Sequence, residues 1–133
     1  MEQLYSGHCH CGAVTLTIPR KPEVVVDCDC SWCSKTGARW GYFTPEELVV
    51  TGTTRTYANR DRNPPYVALH FCGECGCVTH WTGLPILEEE RVGANMRMFG
   101  NNAVSGVELR FYDGKNWNGS KPPDVRCESI ILP

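Results

Sequence analysis

The stretch Asp27-Cys28-Asp29-Cys30-Ser31-Trp32-Cys33 places three thiols within six positions. Thiolates at that density are soft ligands, and zinc is the metal that such a set suits best. Cys28 and Cys30 share one side of an extended chain, and a bend at Ser31-Trp32 returns Cys33 to the same point. Three protein ligands plus an exchangeable water make a reactive zinc site, where an incoming thiol can replace the water and be held as thiolate. A zinc closed by a further ligand and a reduced, metal-free thiol cluster are the alternatives.

The remaining cysteines favour a division of labour. Nine cysteines occupy positions 9, 11, 28, 30, 33, 72, 75, 77 and 127. Cys9 and Cys11 in CHCG fall on one side of an extended chain, and Cys72 and Cys75 in FCGECG flank a turn eased by glycine. The two pairs, brought together, present four thiolates in a tetrahedron with Zn–S bonds of ~2.3 Å, a closed structural site. The spacing predicts such a zinc at Cys9, Cys11, Cys72 and Cys75. His8 and His10 point away from these thiols and are expected at the surface. Cys77 has no ligand partner at an obvious spacing, and Cys127 reads as a small buried hydrophobe in the last strand.

These residues need a scaffold of strands. Apolar and polar residues alternate in AVTLTIP, YVALHFC and GVELRFYDG, the period of half-buried antiparallel strands. EVVVD, YFT, LVV, TRTYA, CVTHWT and ESIIL are shorter candidates of the same kind. The best helix start is Thr44-Pro45-Glu46-Glu47, with a capping box from Thr44 to Glu47, and it predicts one or two helical turns. The expected architecture is mainly β, over a single domain of residues 1–133.

Composition excludes several functions. The net charge is −2, with no basic excess to hold nucleic acid. No apolar run has the ~20 residues of a membrane helix. The start MEQLYSGHCH has neither the basic head nor the apolar run of an export signal. Clustered thiols without that signal point to a cytoplasmic chain using cysteine for metal, not for disulfides. Asn118-Gly119-Ser120 matches a glycosylation acceptor, idle in a chain that is not exported.

GHCHCGAV, CDCSWCSKTGA, FCGECG and VGANMRMF together resemble the glutathione-dependent formaldehyde-activating enzyme family, related to the centromere protein V group. The resemblance runs from about residue 7 to about residue 117. It implies an Mss4-like fold of twisted antiparallel sheets stapled by zinc. It also implies two zinc ions per chain, a structural one on Cys9, Cys11, Cys72 and Cys75 and a catalytic one on Cys28, Cys30 and Cys33. The activity it implies is carbon–sulfur lyase chemistry on thiol–aldehyde adducts, with a small thiol such as glutathione and an aldehyde such as formaldehyde as partners. Cys77 departs from the family, which commonly has a small or hydroxylic residue there.

Lys35, Arg39, Trp40, Asn95 and Arg97 are the candidate substrate contacts: cations for carboxylates, Trp40 with Trp32 and Phe43 for the pocket wall, and Asn95 and Arg97 on one strand face. No independent general base stands out; His70 and His80 are the available candidates, with simple packing on their alternating strands as the other reading. Two readings outside this class remain from the residues alone: a non-catalytic, zinc-stabilised binding module, and a thiol redox sensor.

Overall fold

The computed structural model describes residues 4–60, 63–117 and 122–133. The Asn118–Ser120 acceptor lies outside these. Among the described residues, eleven strands and little helix make the fold mainly β, as alternation predicts. Strands β1 (Tyr5–His8), β2 (Thr15–Ile18) and β5 (Val49–Thr51) form a small antiparallel sheet in the order β1-β2-β5. The other eight are β3 (Val24–Cys28), β4 (Trp40–Phe43), β6 (Thr54–Ala58), β7 (Val67–Cys72), β8 (Val78–Gly83), β9 (Val92–Asn95), β10 (Glu108–Tyr112) and β11 (Val125–Ile131). They order as β11-β10-β3-β4-β9-β8-β7-β6.

One pair departs from the antiparallel expectation. β10 runs parallel to β3, with Phe111 opposite Asp27 and Tyr112 opposite Cys28. Parallel neighbours require a long connection, and the whole body of the fold supplies it here.

The large sheet buries both faces. On one face, Val25, Phe43, Ala94 and Leu109 pack with Leu16 and Ile18 of the small sheet in the main core. On the other, Trp40, Leu69 and Trp81 pack with Ala38 and Val67, and Trp32, Cys33, Tyr42 and Tyr66 lie against them. Strand alternation sorts these side chains: Val26 pairs with Trp40 on one face, Val25 with Gly41 on the other.

Three sequence expectations need correction. The Thr44–Glu47 capping box forms, with the Thr44 N–H donating to Glu47 Oε1 at 2.9 Å and the Glu47 N–H to Thr44 Oγ1 at 3.2 Å. Yet it closes a single turn and no helix, because β5 begins at Val49 and takes the chain. Phe43 does not wall the thiol loop; alternation turns it into the main core. Cys127 is exposed, since β11 is an edge strand whose residues are all exposed.

Candidate metal centres

Two groups of cysteines converge, and within each group all sulfurs lie within 4.8 Å of one another. The first is Cys9, Cys11, Cys72 and Cys75, assembled by two loops that repeat the same hydrogen-bond plan. After β1, the Cys9 N–H donates to the Val14 carbonyl at 3.0 Å, and the Gly12 N–H returns to the Cys9 carbonyl at 3.1 Å. Between β7 and β8, the Cys72 N–H donates to the Cys77 carbonyl at 2.9 Å, and the Gly76 N–H returns to the Cys72 carbonyl at 2.9 Å. Gly12 and Gly76 hold φ near +82° and +79°, a left-handed conformation that glycine adopts without steric cost. Each loop also turns an amide toward its first sulfur: the Val14 N–H to Cys9 Sγ and the Glu74 N–H to Cys72 Sγ, both at 3.4 Å.

The sulfur spacing fits a metal. Cys9 to Cys11 and Cys11 to Cys72 are both 3.7 Å. A tetrahedron with ~2.3 Å bonds has edges close to ~3.8 Å, whereas a disulfide needs ~2.05 Å. Backbone amides of Cys77 and Cys11 hold the Cys75 thiol down at about 5. The Ala13 amide pulls Cys11 down too, but burial and the neighbouring sulfurs outweigh it and push Cys11 up to about 12. Four thiols this close share little negative charge on their own, and a divalent cation lets all of them ionise.

The second group is Cys28, Cys30 and Cys33, all half-buried. Cys28 ends β3. Cys33 opens α1 (Cys33–Thr36), a single turn closed by the Gly37 N–H on the Cys33 carbonyl at 3.0 Å. The Cys33 N–H donates to Cys30 Sγ at 3.3 Å, and Trp40 Nε1 donates to Cys33 Sγ at 3.3 Å. An indole N–H can only donate, so Cys33 sulfur is an acceptor, the role of a thiolate. Hydrogen bonds from Cys28 and Cys33 hold Cys30 down at about 2, whereas its bond to Cys30 pushes Cys28 up to about 11, and Cys33 is raised by both neighbours and by burial. As in the first group, the donors are arranged for more charge than thiols alone sustain. Among the described residues no other Cys, His, Asp or Glu joins these three sulfurs.

The C-terminal strands brace this loop. Asp27, next to Cys28, bridges Arg39 at 3.1 Å and Arg126 of β11 at 2.7 Å. Burial raises the Asp27 carboxyl, but the two guanidinium groups more than reverse it and hold it below the usual range. The Lys115 N–H donates to Asp29 Oδ1 at 3.1 Å. Gly114 lies against the sulfurs so closely that an added Cβ would overlap Cys28 Sγ and stand 2.9 Å from Cys30 Cβ. Gly114, Arg126 and Asp27 escape sequence reasoning, because their approach depends on the parallel pairing of β3 with β10.

The candidate substrate residues are placed as follows. Trp40 is buried and bonded to Cys33. Arg39 is paired with Asp27, and Lys35 is exposed with Nζ donating to the Ser31 carbonyl at 3.2 Å. Asn95 is buried at the end of β9; its Oδ1 accepts the N–H groups of Arg39 and Arg97, and its Nδ2 donates to the Val78 carbonyl at 2.7 Å. Arg97 lies beyond β9 in a short 3₁₀ turn, exposed, so alternation does not carry it onto the face of Asn95. His70 and His80 stack at 4.1 Å, and burial together with the His70 charge lowers His80 to about 3, so it is neutral near pH 7. Threonines bond both rings, and neither joins a thiol group. Cys77 packs beside the four-thiol group without entering it.

The family model of the glutathione-dependent formaldehyde-activating enzyme matches residues 4–102. The chain belongs to this family. The matched region carries all seven converging cysteines and strands β1 to β9, while β10 and β11 lie beyond it. A crystal structure of a Rhodobacter sphaeroides protein is similar at 27% identity and a TM-score of 0.58, over 71% of this chain and 86% of that one. No curated protein matches the chain. A member of the glutathione-dependent formaldehyde-activating enzyme family thus has two cysteine groups able to hold metal, one four-fold and one three-fold.

Proposed function

We propose that the chain is a zinc-dependent enzyme of the carbon–sulfur lyase type, one domain over residues 1–133 working in the cytoplasm. Its reaction joins a thiol to an aldehyde or reverses that step, and glutathione with formaldehyde is the reference pair. The reading rests on the three-sulfur group and its lack of a fourth protein ligand among the described residues. Cys9, Cys11, Cys72 and Cys75 hold a structural zinc, and Cys28, Cys30 and Cys33 hold a catalytic one. Bound there, zinc supplies a Lewis-acid position that favours the thiolate of a substrate and polarises an aldehyde oxygen.

The chain's own residues do the rest. Trp40 orients Cys33 through its N–H. The Asp27–Arg39–Arg126 ion pairs fix the end of β3. Tyr42 shares the Trp40 face of β4, and its ring meets Trp81 edge-on at 6.2 Å. Burial raises the Tyr42 hydroxyl, as do the sulfurs of Cys33 and Cys28, so Oη keeps its proton. No described group hydrogen-bonds that hydroxyl. It is therefore the available donor for the oxygen that gains charge when sulfur adds to a carbonyl. Thiol and aldehyde combine as R–SH + R′CHO → R–S–CH(OH)R′, with the S–C bond formed, the C=O π bond lost and the thiol proton ending on oxygen.

Protein loaded with zinc, mixed with glutathione and formaldehyde, should speed adduct formation above the uncatalysed rate, followed by exchange NMR. Rates equal to those with zinc-stripped protein, for formaldehyde and every other small aldehyde tried, would remove the proposal. Tyr42→Phe should keep both metal ions and lower the rate by roughly 10²-fold, the low end for loss of a positioned proton donor.

A further inference from the structure

The four-thiol group has a fifth sulfur at its side. Cys77 packs with Cys75 against the cluster of Cys9, Val14 and Cys72, yet it stands outside the four sulfurs that converge. Two successive amides of the first loop fix its place. The Cys11 N–H is directed at Cys75 Sγ and the His10 N–H at Cys77 Sγ. Neighbouring donors thus hold the two sulfurs beside each other. The Cys77 N–H also reaches back to Cys75 Sγ, as the chain bends round Gly76 with φ near +79°. A bend between residues two apart keeps their Cα atoms within the ~4.4–6.8 Å that a disulfide spans.

Exposure separates these five thiols. Cys9 and Cys72 are buried, whereas Cys11 is exposed and Cys75 and Cys77 are half-buried. Among the four converging sulfurs, a small oxidant in solvent therefore meets Cys11 and Cys75. A cysteine sulfenic acid condenses with a neighbouring thiol, and without one it goes on to the sulfinic acid. The sulfurs beside Cys11 are fellow members of the four, with Cys9 and Cys72 each at 3.7 Å. Cys75 alone of the two has a neighbour that no metal in this group would hold.

Resting on the reading of the four-thiol group as a zinc site, we infer that Cys75 and Cys77 form a peroxide-sensitive pair, whose disulfide withdraws a ligand and releases the metal. Peroxide takes the Cys75 thiolate to the sulfenic acid, R–S⁻ + H2O2 → R–SOH + OH⁻, with the O–O bond broken and sulfur oxidised by two electrons. Cys77 then attacks that sulfur, R–SOH + R′–SH → R–S–S–R′ + H2O, and the oxygen leaves as water. Two thiols are oxidised for one peroxide reduced, and a dithiol reductant reverses the link.

The test treats the zinc-loaded protein with hydrogen peroxide, quenches it in acid, blocks the remaining thiols and maps a tryptic digest by mass spectrometry. Cys72, Cys75 and Cys77 share one peptide, between Arg62 and Arg91. Fragmentation should place a link between Cys75 and Cys77 with Cys72 still blocked as a thiol. Zinc per chain should fall by at least one as the link appears, and dithiothreitol with added zinc should restore both thiols and the metal. In Cys77→Ser, sulfinic acid at Cys75 should rise several-fold over the unaltered protein at equal peroxide. A link from Cys75 to Cys72 or Cys11, a Cys75–Cys77 link formed with no loss of zinc, or equal sulfinic acid in the two proteins overturns the inference and leaves the zinc site standing. A peptide still fully reduced in excess peroxide does the same. No zinc bound before peroxide is added removes the zinc reading and this inference together.

Discussion

Cys72→Ser is expected to lose the metal of the four-thiol group and to unfold. Cys72 is 1% exposed, so a serine there is a buried hydroxyl without a partner and a far poorer metal ligand than thiolate. The larger loss is the cross-link. The group joins the loop after β1 to the β7–β8 turn, with Cys11 and Cys72 separated by 61 positions. A structural zinc in a small peptide contributes about 10–16 kcal/mol, as much as the ~5–15 kcal/mol net stability of an entire domain. Metal analysis should give fewer than two zinc ions per chain, and circular dichroism should show the loss of the cooperative thermal transition. Cys127→Ser is the contrast: the exposed thiol on β11 should be replaceable with stability unchanged within ~0.5 kcal/mol. A Cys72→Ser protein that keeps two ions and its transition would remove this cysteine from the ligand set.

The second large effect belongs to a residue with no chemistry of its own. Gly114→Ala should empty the three-thiol group and spare the other. Its added methyl would overlap Cys28 Sγ and stand 2.9 Å from Cys30 Cβ and 3.0 Å from the Cys30 backbone nitrogen. One of those neighbours is backbone, so no rotamer change relieves the crowding; β3 or the Gly114 loop must move. Overpacking of this kind costs ~1–3 kcal/mol, which a domain survives, but a shift of about 1 Å is ruinous to a ligand set. Zinc per chain should fall from two to one, Cys28, Cys30 and Cys33 should become open to alkylation, and thiol–aldehyde activity should vanish while the fold persists. Two zinc ions retained with full activity would show that the loop yields without cost.

Much of this could be read from residues in sequence. Alternation placed Leu16, Ile18, Leu69 and Leu109 on buried strand faces, and all four are buried. Short-range thiol spacing is equally legible, since CxC and CxxC geometry is set within a few bonds; both groups converge as the spacing suggested. Failures begin where a position depends on distant chain. Asn95 and Arg97 look alike by alternation, but the strand ends between them and a 3₁₀ turn sends Arg97 outward. Arg39 reads as a free cation until β11 and β3 bring Arg126 and Asp27 beside it. Cys127 reads as core because its strand is apolar, and nothing local says that the strand is the last one in the sheet. Gly114 is one of 13 glycines in the sequence, and only the three-dimensional path of β10 distinguishes it.

The parallel pairing of β3 with β10 also orders events during synthesis. Every sulfur of the four-thiol group has left the ribosome once residue 75 has emerged, so that half of the molecule can close early. The three sulfurs at positions 28 to 33 emerge sooner still, yet their cover waits for Gly114 and Arg126, more than eighty positions later. Translation therefore leaves a long interval in which one group of sulfurs can assemble while the other lies uncovered, open to metal delivery or to an oxidant.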